Sequence, residues 1–169
     1  MLRRLRENGP VVLVPLAWTF ATAAHLDLLA LRTVLIAHLV MDAIIATFTV
    51  LSWREMTDGI LLVWRRVLVV GLGVTLVGTV ALLAEPPVDP LLSATVVGWM
   101  LVPAAGLVAT GRRIDRRPRA YSLGGALSAV GAVVYLGGIL GPATALVLGG
   151  LTMANVGQTA GIAAAVYDY

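Results

Sequence analysis

Cysteine and lysine are both missing from this chain, phenylalanine occurs only twice in 169 residues, and charged residues make up just 12%. Without cysteine there is no structural disulfide, thiolate nucleophile, Cys-ligated zinc or iron–sulfur cluster. The shortage of charge excludes more. Soluble domains carry about 25% charged and about 45–50% apolar residues, whereas 59% of this chain is hydrophobic and its mean hydropathy is +0.94. A soluble domain of about 150 residues buries only about 70% of its chain surface, too little to hide such an excess. Lipid is the expected solvent, and residues 1–169 read as a single transmembrane domain.

All twelve basic residues are arginine, a usage that fits a GC-rich prokaryotic genome, and the formal net charge is +3. In a membrane protein such residues mark cytoplasmic loops. Neither an aromatic RNA-binding motif, a basic groove-reading helix nor a zinc-finger spacing accompanies them, so no nucleic-acid partner is expected.

A helix needs about 20 mostly apolar residues to cross a hydrocarbon core of about 30 Å. Six such runs are present: Pro10 to about Leu29, Leu31 to Trp53, Ile60 to Ala84, Leu91 to Gly111, Tyr121 to Gly141, and Ala143 to about Val166. They lack the strict alternation of barrel strands, so the fold class is all-α, a polytopic integral membrane bundle with six transmembrane helices. Eleven arginines fall in residues 1–10, 54–66 and 112–119, against Arg32 alone on the other side. The positive-inside rule therefore places both N- and C-termini in the cytoplasm, with the protein multi-pass in the cell membrane. Ala21-Thr22-Ala23 resembles a signal-peptidase site. The apolar stretch nevertheless runs straight on into further spans, so the first helix is expected to stay attached.

Six spans allow a three-plus-three inverted repeat, the build of many transporters. Residues 13–22 match residues 101–110 at six of ten positions, an offset of 88 that carries the first span onto the fourth. Chains rich in Ala, Leu and Val also produce such matches by chance.

Asp42 is the clearest anomaly, at the centre of the second span. A carboxylate there costs about 2.5–3.5 kcal/mol on insertion scales and is expected to face the bundle interior. His38 lies one turn earlier on the same helix face. In the sixth span Thr152, Asn155, Gln158 and Thr159 form a polar stripe, with Asn155 near the depth of Asp42 and Tyr135 near that of His38. Asp42, His38, Asn155 and Tyr135 are the expected binding residues of a midplane pocket for a proton, cation or small solute. The competing reading makes these groups hydrogen-bonded glue between helices, worth about 0.6 kcal/mol each. The first implies a transporter or channel-like protein, the second a non-catalytic membrane subunit or scaffold of a larger complex. A third reading has His25 and His38 clasp a haem b as a membrane anchor. The leading expectation includes no cofactor and no metal.

No serine is paired with His and Asp, and no Gly-x-Ser-x-Gly motif occurs, so enzymatic activity is disfavoured and no residue is assigned as catalytic. Glycines concentrate in the last two spans, including Gly157-x-x-x-Gly161, a small-residue pattern for close helix packing. That pattern, with so little interior to enclose, points to a homo-oligomer or membrane complex. Pro15 and Pro103 sit inside their spans and are expected to kink them.

Overall fold

The computed structural model describes residues 2–168, with side chains for 11–165. Six helices are present: α1 (Leu2–His25), α2 (Leu31–Ser52), α3 (Gly59–Leu83), α4 (Asp89–Gly111), α5 (Pro118–Leu140) and α6 (Thr144–Asp168). No strand occurs among the described residues. Five of the helices, α2 to α6, are long and apolar enough to cross a membrane. The apolar part of α1 within the described residues, Val11–His25, is shorter. At a rise of about 1.5 Å per residue it is less than a full hydrocarbon thickness.

Local chemistry sets the helix ends. Asp27 adopts left-handed φ at 55°; its N–H donates to the Ala24 carbonyl and that of Leu28 to the Ala23 carbonyl, which closes α1 with a Schellman turn. Helices α4 and α5 each begin with a proline in the first turn, where the missing N–H costs no intrahelical bond. This carries α4 back to Asp89 and α5 back to Pro118, before the apolar runs start.

In space the helices follow the order α2, α3, α4, α5, α6, α1, each packed on the next, with a lesser contact between α4 and α6. Helix α1 thus takes its main support from α6 rather than from its chain neighbour α2. Its Trp18 is 6% exposed, in a core with Met100 of α4, Ala132 and Tyr135 of α5, and Val147, Leu151 and Ala154 of α6. Helix α2 sits at the opposite edge. Only 11% of its most apolar stretch is buried inside the protein, against 33–39% for α3 to α6.

The tightest contact is between α5 and α6, and glycine permits it. A Cβ added at Gly124 would strike the Gly157 carbonyl oxygen, and one added at Gly157 the Gly124 carbonyl oxygen. One turn pair further on, a Cβ at Gly131 would come within 2.7 Å of the Gly150 carbonyl oxygen. Gly124 and Gly131 are seven residues apart, as are Gly150 and Gly157, which is the period of a left-handed helix pair. Gly161 lies at the end of this seam, its N–H nitrogen 3.4 Å from a Cβ built on Gly124, while a Cβ on Gly161 itself would meet the Leu107 side chain of α4. Lipid tails are as apolar as the side chains, so dispersion between these close backbones replaces the hydrophobic drive of a soluble core.

Gly131→Leu is expected to lower stability by about 1–3 kcal/mol through overpacking. Gly137→Ala, with nothing within 4 Å of the added Cβ, is expected to leave it unchanged. Detergent-micelle unfolding monitored by circular dichroism distinguishes them; equal midpoints would show that the α5–α6 backbones do not touch.

Candidate functional site

Two polar clusters occupy the end of the bundle where α1, α3 and α5 finish and α2, α4 and α6 begin. The first joins α2 to α3. Asp42 Oδ2 accepts a hydrogen bond from Thr79 Oγ1 at 2.7 Å, while Oδ1 is buried with no partner among the described residues. A buried carboxylate oxygen left without a donor carries a desolvation penalty that a proton or a cation would relieve. His38, one turn earlier, turns toward α3 as well. A Cβ built on Gly78 would lie 3.0 Å from His38 Nε2 and 2.9 Å from Thr95 Cγ2, so only glycine lets the imidazole and Thr95 of α4 meet over the α3 backbone. His38 Nδ1 is 3.2 Å from the Val34 carbonyl, which assigns its proton to Nδ1 and leaves Nε2 as the acceptor. Asp42 stands at the centre of α2, but its partner Thr79 lies in the last turns of α3, so the carboxylate is read toward that end of the bundle.

The second cluster joins α1 to α5. His25 Nδ1 bonds the Ala21 carbonyl at 2.8 Å, so its Nε2 accepts from the Tyr135 hydroxyl at 2.9 Å. The two rings meet edge to face, with centroids 5.5 Å apart. Tyr135 is 1% exposed. Helix α4 packs between α3 and α5 and so separates the two clusters.

Tyr135 therefore partners His25, which the sequence reading placed only as a haem ligand, rather than His38. Asn155 Oδ1 accepts from Thr159 Oγ1 on its own helix at 3.1 Å. Among the described residues no hydrogen bond joins any two of Asp42, His38, Asn155 and Tyr135; only His38 and Asp42 face the same neighbouring helix. His25 and Tyr135 share a signal that could have paired them: each sits within the final turns of a helix that ends on the same side.

A third network lies deeper. Pro103 has no N–H, so the Trp99 carbonyl four residues back loses its helical partner. Gln158 Nε2 of α6 donates to that carbonyl at 2.8 Å and to Ser128 Oγ at 3.0 Å. Its Oε1 accepts from Trp18 Nε1 at 3.0 Å. Ser128 donates onward to the Met100 carbonyl at 2.8 Å, and Trp99 Nε1 donates to Thr75 Oγ1 at 3.0 Å. Five helices meet in this set, and every polar group in it has a partner.

Among the described residues no three His, Cys, Asp or Glu side chains converge as a metal site. For haem, the Nε2 of His25 is already engaged by Tyr135 and that of His38 is turned onto Gly78. No protein-family profile, curated protein or solved structure matches the chain.

Gln158→Leu strands the Trp18 indole N–H and the Trp99 carbonyl in an apolar interior. Each unpaired buried group costs about 1–3 kcal/mol, so a loss of several kcal/mol is expected in micelle unfolding. A midpoint within error of the parent's would remove Gln158 from the clamp.

Proposed function

We propose that this chain is a multi-pass protein of the cell membrane that passes a proton or a small cation through a site centred on Asp42. The observation that carries this reading is the Asp42 carboxylate, with one oxygen held by Thr79 Oγ1 and the other buried and unpartnered. An ionisable group in a membrane helix is functional by default, because it is costly to keep for packing alone. His38 supplies an acceptor nitrogen on the same face. The His25–Tyr135 pair gives a second set of exchangeable protons at the same end. Tyr135 and Asn155 sit on α5 and α6, which the helix order separates from α2 by α3 and α4, and have no part in this route.

The topology that goes with this reading has six spans, both termini in the cytoplasm and the polar clusters opening to the opposite side. A three-plus-three repeat is compatible with the helix order. It would equate α1–α2 with α4–α5, a pair that packs closely, and the loose α1–α2 pair would be the departure from symmetry.

A second reading rests on the Gln158 clamp and the glycine seam, which are complete without any ligand. On that reading the bundle is a non-catalytic subunit or oligomer-forming scaffold, and the polar groups only fix helix positions.

Reconstituted in liposomes with a pH-sensitive dye inside, the protein is expected to dissipate an imposed pH or cation gradient, and Asp42→Asn to abolish this flux. Thr79→Val, which frees the second carboxylate oxygen, is expected to shift its pH dependence without abolishing it. Undiminished flux in Asp42→Asn would remove the carboxylate from the mechanism. No flux in the parent, with stable co-purification of a larger complex, would favour the scaffold.

A further inference from the structure

The outer surface between α4 and α5 holds a groove of about 890 Å³ that neither polar cluster uses. Its floor is Ala104 and Gly125, where the helices come closest: a Cβ on Gly125 would stand 2.6 Å from the Ala104 carbonyl oxygen. Small side chains, Ala105, Ala126 and Ala129, keep the walls low along its length. At the C-terminal end of α4 the lining changes character, to Arg112 and Arg113. Arg113 Nη1 donates to the Ala109 carbonyl at 2.9 Å, which holds that guanidinium against the mouth of the groove.

A long apolar trough that ends in two arginines is complementary to a molecule with an alkyl body and an anionic head. We infer that this groove seats one anionic phospholipid, with acyl chain along Ala104, Gly125 and Ala129 and phosphate against Arg112 and Arg113. Guanidinium groups suit a phosphate because their forked N–H donors match its oxygens. The groove sits at the arginine-rich end of the bundle, where an anionic leaflet would supply the ligand. The site lies outside the Asp42 route, so it stands or falls independently of the proposed function.

The test uses the full chain in nanodiscs of equal phosphatidylglycerol and phosphatidylcholine, with retained lipid counted by native mass spectrometry. The parent is expected to keep phosphatidylglycerol in preference. Arg112→Gln with Arg113→Gln is expected to cut that preference about thirtyfold, the effect of two arginines near an anionic headgroup. Ala105→Leu with Ala126→Leu fills the trough from two exposed positions and is expected to expel both lipids while circular dichroism stays unchanged. Arg66→Gln, an exposed arginine on α3, is expected to change nothing. Equal retention of the two lipids by the parent, or unaltered retention in the filled variant, would overturn the assignment. So would soluble glycerol phosphate binding as tightly as the lipid, or a parent dimer that the filled variant dissolves, since the trough would then be a contact between copies.

Discussion

Inside hydrocarbon no water can repair a broken main-chain hydrogen bond, and the Trp99 carbonyl is where this protein meets that constraint. Pro103 removes the donor, and a single amide from α6 restores it. Because the Gln158 side chain has both donors and an acceptor, the same repair also fixes Trp18 and Ser128. The seat of α1 on α4, α5 and α6 is thus tied to one residue that is 2% exposed. Glycine then does for shape what glutamine does for polarity. Where α5 and α6 touch backbone to backbone, side chains are absent, and dispersion at short range holds what apolar burial cannot.

The polar groups nearer the bundle end follow a different logic. In the deep network every donor has found an acceptor. Around Asp42 one oxygen has not, while His25 and His38 are each held by their own helix through Nδ1, with the Nε2 of His25 on the Tyr135 hydroxyl and that of His38 over Gly78. One set is complete; the other leaves a buried carboxylate oxygen without a partner among the described residues. This contrast, more than any one residue, separates architecture from candidate chemistry.

Much of this was legible in the sequence because apolar run length and helix length are governed by the same membrane thickness. The runs beginning at Leu31 and ending at Gly111 coincide with helix limits. The starts of α4 and α5 were read two and three residues late, since a proline in a first turn interrupts hydropathy but not the helix. Gly157 and Gly161 both lie against Gly124, as their four-residue spacing suggests, and the seven-residue spacing of Gly124 and Gly131 extends the contact along α5. Asp42 and His38 could be placed on one face by helical period alone. The pairing of Tyr135 with His25 could not, because it depends on α1 crossing to pack over α4, α5 and α6, and nothing in local periodicity encodes which helix a long-range neighbour will be.

The edge position of α2 has a mechanical consequence. Every other helix is gripped from two sides or wired into the Gln158 set, but α2 is fastened along one flank only, to α3. Sliding or tilting it breaks the Thr79 bond and the fit of one imidazole over a glycine, and leaves the remaining five helices intact. The element that carries the acidic group is therefore also the least buttressed helix of the assembly.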